Sequence, residues 1–176
     1  MMTQRRYALA CLFAVLLAGC SQAPVIPPPG YLLPGATAIG AHSVTVEVRL
    51  AGYLDQGGIV YQLSNSELHL ARQHRWAEPL DSQLERSLHA ALASHDLPDS
   101  GQLVVSLSQF QGVQSDGGDQ AVIRGVWLFS KAGEAPRQGT ISWQAPVPAD
   151  GYPTLVETLD RGWQDTARVI VSGLEQ

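Results

Sequence analysis

One short stretch has the residue types and spacing of a defined reaction: Leu17-Ala18-Gly19-Cys20. A thiol that follows two small side chains is a substrate for diacylglycerol transfer. The small residues Ala18 and Gly19 let a signal peptidase bring the backbone close. The stretch reads as a bacterial lipobox, with residues 1–19 as signal peptide and Cys20 as both lipidation site and first residue of the mature chain. Arg5 and Arg6 form the basic start of such a signal, and Ala8 to Ala18 is uncharged and apolar. Those 11 residues fall short of the roughly 20 that a helix needs to span a bilayer core. The alternatives are a plain secretory signal cut elsewhere or a short N-terminal anchor. This chemistry is done to the protein and not by it.

No other constellation groups for catalysis. His69 and His74 are five apart, and His89 and His95 are six apart. Neither spacing puts two imidazoles on one helical face as a zinc-binding H-E-x-x-H pair does, and His42 stands alone. Asp116 and Asp119 flank two glycines, but a calcium loop needs more oxygen ligands than two carboxylates. A G-x-S-x-G elbow, a phosphate loop and a G-x-G-x-x-G are all missing from the sequence. The chain is therefore read as non-enzymatic, with no cofactor and no metal.

Composition agrees with a protein held at a membrane surface by its acyl chains. The whole sequence carries a net charge of −5, and losing Arg5 and Arg6 with the signal takes it to −7. No basic run survives to attract nucleic acid or anionic headgroups. Acyl chains contribute about 0.8 kcal/mol per buried CH₂, and two or more hold stably. Cys11 leaves with the signal and Cys20 is acylated, so the mature domain has no thiol for a disulfide, zinc or nucleophilic role. The residue after Cys20 is Ser21 and not the Asp that retains lipoproteins at the inner membrane, so the outer membrane is expected.

The elements that would hang from this anchor follow in order. Residues 20–30 carry the acylated cysteine and a proline-rich tether with Pro24, Pro27, Pro28 and Pro29. Residues 31–176 are one domain, long enough for a core. Val44, Val46, Val48 and Leu50 alternate as a half-buried strand. Ile59 to Leu63 and Glu67 to Leu70 read as a hairpin turning at Ser64 to Ser66. A helix opens at Pro79, with Leu80, Leu84, Leu88, Ala91 and Leu92 on one stripe, and stops near His95. Strands Gln102 to Gly112 and Gln120 to Ser130 flank a turn at Ser115 to Asp119. A parity change between Leu107 and Phe110 predicts a bulge near Ser108-Gln109. Arg137 to Ala145 is a further strand. Thr154 and Glu157 have capping-box spacing for a last helix that ends at Gly173. The expected fold class is α+β: an antiparallel sheet of about six strands with two main helices packed on one face.

Tyr53, Leu54, Ile59, Val60, Tyr61, Ser64 and Leu68 fall on the pattern YLxxxxIVYxxSxxxL, followed by Trp76, Ala77, Pro79 and Leu80. Together with Tyr31-Leu32-Leu33-Pro34, Phe110-Gln111-Gly112, Gly125-Val126-Trp127-Leu128 and Asp150-Gly151-Tyr152, these residues resemble the PqiC family of ABC-type transport auxiliary lipoproteins. The resemblance covers essentially the whole mature chain. One departure is the short connection Ser94 to Gly101, where relatives carry a longer stretch. The resemblance implies an outer-membrane lipoprotein working with a periplasm-spanning MCE-domain protein and an integral inner-membrane partner in lipid transport. It also implies a non-catalytic docking role, as a homo-oligomeric ring. A lipid-binding periplasmic carrier and a regulator of an envelope enzyme are the alternatives.

Tyr53-Leu54 follows Gly52 and precedes Asp55-Gln56-Gly57-Gly58, a loop composition. Aromatics on a loop are typical contact anchors. Tyr53, Leu54, Tyr61 and Trp76 are therefore the candidate partner contacts, against the alternative that these large apolar residues are core.

Overall fold

A computed structural model describes residues 30–37, 43–95 and 100–175. The signal peptide, Cys20, nearly all of the tether and His42 lie outside the described residues. The strands are β1 (Gly30–Tyr31), β2 (Val44–Leu50), β3 (Gly58–Gln62), β4 (Leu68–Trp76), β5 (Gly101–Val113), β6 (Gln120–Ser130) and β7 (Arg137–Pro146). The helices are α1 (Leu80–Ala93) and α2 (Tyr152–Leu174), and two 3₁₀ turns lie at Pro34–Thr37 and Leu54–Gln56.

The architecture is α+β with both helices on one face, as expected, but the sheet differs in two ways. It has seven strands, in the order β1-β4-β3-β5-β6-β7 with β2 also on β5, and it is mixed. β1 runs parallel to β4, and both β2 and β3 run parallel to β5. The thirteen residues of β5 hold two neighbours end to end along one edge. β2 pairs with Gly101 to Leu107, and β3 pairs with Gly112 and Val113. The chain leaves the sheet between them, at Ala51 to Gly57. Alternating side chains specify which face of a strand is buried and leave its neighbour open. The parallel pairings and the two-residue β1 were therefore not legible in the pattern.

The bulge is where parity placed it: the β5–β6 register slips between Leu107 and Gln109. Leu103, Val105 and Leu107 face the helices on one side of it and Phe110 does so on the other, all buried. Leu80, Leu84, Leu88 and Leu92 form the buried stripe of α1. Leu155, Leu159, Trp163 and Ile170 form that of α2. The Trp163 indole donates to the Leu84 carbonyl at 3.2 Å, tying the helices together.

Two helix-end expectations need correction. α2 begins at Tyr152, with Gly151 as its cap at φ 109°, a left-handed value suited to glycine. Thr154 therefore lies inside the helix, where its carbonyl accepts the Thr158 hydroxyl at 2.7 Å, and no capping box forms with Glu157. Gly173 does not end the helix either. It lies within the last turn, where the Trp127 indole packs so close that a Cβ would come 2.7 Å from Cζ2. A Cβ at Gly139 of β7 would also crowd that ring, meeting Trp127 Nε1 at 2.5 Å. Missing side chains on β7 and α2 thus make the slot for the indole.

The segment after β1 is clamped to both helices. Leu33 N–H donates to the buried Gln83 Oε1 at 2.8 Å, and Gly35 N–H donates to the buried Asp160 Oδ1 at 2.9 Å. Gln164 Nε2 donates to the other Asp160 oxygen at 2.7 Å, so this carboxylate is hydrogen-bonded on both oxygens. Among the described residues, no helix is long and apolar enough to cross a membrane.

Candidate interaction surface

The four candidate contact residues divide into two kinds. Leu54 is only 1% exposed and Trp76 only 7%, and both belong to the main core. This corrects the expectation that they present a contact surface. Loop composition around Leu54 was misleading because the excursion is a 3₁₀ turn folded inward. Leu54 N–H donates to the Ala51 carbonyl at 2.8 Å, and Gly57 closes the turn at φ 75°. Trp76 ends β4, its N–H donating to the Gly57 carbonyl at 2.9 Å, and its ring packs against Phe110.

Tyr53 and Tyr61 are half-buried. The β5 bulge takes the Ser108 carbonyl out of the ladder, and the Tyr53 hydroxyl donates to it at 2.6 Å while lying 2.8 Å from Gln111 Oε1. Gln111 Nε2 in turn donates to Gln62 Oε1 at 2.9 Å, so a polar chain stitches the excursion to β5 and β3. Burial pushes the Tyr53 phenol above its usual value.

Tyr61 sits over Gly112, where a Cβ would come 2.5 Å from its ring. It meets Tyr152 edge-on at 5.7 Å between centroids. Tyr152 stacks on His74 at 4.0 Å, and a 2.9 Å hydrogen bond joins His74 Nδ1 to the Tyr31 hydroxyl. Desolvation first, then the charge of Asp119 and a hydrogen bond to it, push the Tyr61 phenol up to about 12. The aromatic stack joins β1, β3, β4 and the start of α2. The Tyr31 hydroxyl is engaged by His74 and the Tyr61 hydroxyl by Asp119.

The remaining histidines stay apart. His95 pairs with Glu175 at 3.1 Å, and His89 Nδ1 is buried without a hydrogen-bond partner. Among the described residues, no three His, Cys, Asp or Glu side chains are placed to hold a metal ion. Asp116 and Asp119 lie in or beside a reverse turn, closed by Gly118 N–H donating to the Ser115 carbonyl at 3.0 Å.

Reading along the chain missed a groove on the helix-free side of the sheet at the bulge. Leu50, Ala51, Ser106, Val126 and Thr140 line it, with Arg49 and Arg124 among its edges. A signal for it was present. Val126-Trp127-Leu128-Phe129 is apolar at four successive strand positions, so apolar side chains had to stand on both faces. Trp127 and Phe129 face the helices, and Val126 and Leu128 are left exposed.

The comparisons with known proteins bear on the whole of this arrangement. The chain is 29% identical to the intermembrane transport lipoprotein PqiC of Escherichia coli strain K12, over 96% of this chain and 97% of that one. The same figures hold for the PqiC of Shigella flexneri. A crystal structure of an uncharacterized protein superposes with a TM-score of 0.71 at 28% identity, covering 84% of this chain and 98% of that chain. A second crystal structure, of a protein from Xanthomonas campestris, shares the fold with a TM-score of 0.62 at 16% identity, covering 82% and 90% of the two chains. The family model for the ABC-type transport auxiliary lipoprotein component matches residues 34–171, which run from the first 3₁₀ turn to the last turns of α2, and the chain therefore belongs to that family.

Proposed function

We propose that this protein is a non-catalytic lipoprotein of an intermembrane lipid transport system. Acyl chains on Cys20 hold it at the periplasmic face of the outer membrane. There it receives the far end of a periplasm-spanning MCE-domain protein, whose integral partner sits in the inner membrane, and several copies assemble into a collar. The observation that carries this reading is the end-to-end similarity to the intermembrane transport lipoprotein of Escherichia coli. A match over 96% of 176 residues cannot leave out all 19 that precede Cys20, so the similarity reaches into the signal and tether as well as the domain.

The fold supports a docking role. The hydroxyls of Tyr31, Tyr53 and Tyr61 and the buried Asp160 carboxylate are used in joining elements, and the groove beside the β5 bulge offers apolar surface on the side away from the helices. Tyr53, bonded to the Ser108 carbonyl that also lines this groove, is the one of the four candidate contacts that the proposal places against the MCE partner. Tyr61 supports the end of the sheet from within the aromatic stack.

Crosslinking in intact cells followed by purification of the lipoprotein tests the reading. The expected product is an MCE-domain protein joined to this chain, with Val126→Asp in the groove reducing its yield at an unchanged melting temperature. Recovery of a cell-wall synthase in its place would overturn the transport reading. A Cys20→Ala chain is expected to lose acylation and to be washed from the membrane. Retention of that variant at wild-type levels would overturn the anchor.

A further inference from the structure

Two large apolar side chains stand exposed at the tip of the β3–β4 hairpin: Leu63 at 40% and Leu68 at 39%. Between them are only Ser64, Asn65, Ser66 and Glu67. Leu63 N–H donates to the Glu67 carbonyl at 2.9 Å, so the tip is closed and both leucines flank it. Leu68 faces Gln62 across the ladder, and Leu63 follows Gln62. Successive strand residues point to opposite faces, so the two leucines clothe both sides of the ribbon end. A tip of this form buries both leucines at once when it enters a medium end-on.

β1 shows which medium is within reach. Gly30 and Tyr31 pair in parallel with Arg75 and Trp76. β1 therefore runs in the same direction as β4, away from the end that carries Leu68 and the hairpin tip. Strand rise puts Leu68 about 23 Å back from Arg75. The ten residues from Cys20 to Pro29 span at most about 35 Å. A tether of that reach is long enough for an anchor at Cys20 to stand beside the tip. Other loops of that end are the Ser115–Gly118 turn, whose neighbour Asp119 accepts the Val147 N–H, and the residues that lead into α2. They carry Asp116, Asp119 and Asp150 and no basic residue.

We propose that the β3–β4 hairpin tip rests in the headgroup layer of the bilayer that holds the acylated Cys20, with Leu63 and Leu68 as its inserted residues. This rests on the reading of Cys20 as the lipid anchor. Two leucines would hold a free domain poorly. The tether changes this, because it makes insertion an intramolecular event at high effective concentration. The acidic loops beside the tip select against anionic headgroups, so the contact is made with zwitterionic lipid. The domain is thereby given an orientation: tip to the membrane, with the β6–β7 turn and the C-terminal end of α2 directed away from it.

The test uses the full acylated chain in phosphatidylcholine vesicles, with bimane attached to Leu63→Cys, Leu68→Cys or Val169→Cys. Cys11 leaves with the signal and the Cys20 sulfur is blocked, so each introduced cysteine is the single free thiol. Val169, 64% exposed on α2, serves as the reference. Brominated acyl chains are expected to quench emission at positions 63 and 68 and to leave 169 unchanged. Phosphatidylglycerol in the vesicles should reduce that quenching. Probes at 63 and 68 that bromine leaves as bright as 169, on chains whose mass proves acylation at Cys20, would overturn the tip contact while leaving the anchor intact. Shielding of the two probes from aqueous iodide without bromine quenching would assign the tip to a protein contact and overturn the proposal. A mass showing Cys20 unmodified would overturn anchor and tip contact together.

Discussion

Gly139→Ala gives the most direct check on how the sheet and α2 are joined. In a strand, replacing glycine by alanine restricts the unfolded chain and stabilises by about 0.4–1 kcal/mol where the native backbone accepts it. Gly139 is not among the glycines with positive φ, so its backbone accepts alanine. The surroundings reverse the sign. The new Cβ would lie 2.5 Å from Trp127 Nε1, 2.7 Å from Cε2 and 2.9 Å from Cζ2, against about 3.5–4.0 Å for an unstrained contact. The indole must move by about 1 Å to restore that contact. On the α2 side its movement is limited by Gly173, where a Cβ would already come 2.7 Å from Cζ2. Overpacking of this kind costs about 1–3 kcal/mol; its midpoint of about 2 less an entropy gain of about 0.7 leaves a net loss of about 1.3 kcal/mol. For a domain of this size that is a fall in Tm of about 3–5 °C. Thermal denaturation of the mature chain followed by circular dichroism reads it. The double variant with Trp127→Phe provides a second readout, because the smaller ring makes room for the methyl. Its loss should be smaller than the sum of the two single losses by about 0.5–3 kcal/mol. A Gly139→Ala chain as stable as the parent, or strict additivity in the double variant, would refute the packing argument.

Three further outcomes follow from the same structure. Leu54→Ala removes a buried side chain and is expected to cost about 2–5 kcal/mol, visible as a lower midpoint in urea, whereas an unchanged midpoint would return Leu54 to the surface. Glu85 Oε1 accepts the Val48 N–H at 2.9 Å and so covers the open edge of β2. Glu85→Ala is expected to cost about 1–2 kcal/mol and to raise the aggregation rate through the uncovered edge, both measurable by light scattering during a melt. Alkali should unfold the domain through its tyrosines. Tyr61 titrates at about 12 in the fold against about 10 in an unfolded chain, so the folded state keeps a proton that the unfolded state has lost. That contribution is complete below the unfolded value and disappears as pH rises through the folded one. Tyr53 and Tyr152 are raised in the same direction by burial. Tyr61→Phe should therefore flatten the loss of stability in that window, and an unchanged slope would contradict the burial of its phenol beside Asp119.

Much of this protein is decided locally, and so it could be read in order along the chain. The leucine stripe of α1 and the alternation of β2 each specify an element and the face it buries, because helix and strand periods are properties of the backbone itself. The parity change before Phe110 placed the bulge for the same reason. The proposed lipidation at Cys20 rests in the same way on a local pattern, Leu17 to Cys20. What the tertiary structure decided is everything that depends on what stands opposite. The parallel partners of β5, the two-residue strand that pairs with β4, and the burial of Leu54 inside a loop-like composition are long-range outcomes. Gly173 shows the difference most plainly. In the sequence a glycine near a helix end signals a stop; in the fold it makes room for a tryptophan from a strand some forty-six residues earlier, and only the packed molecule brings that indole to it.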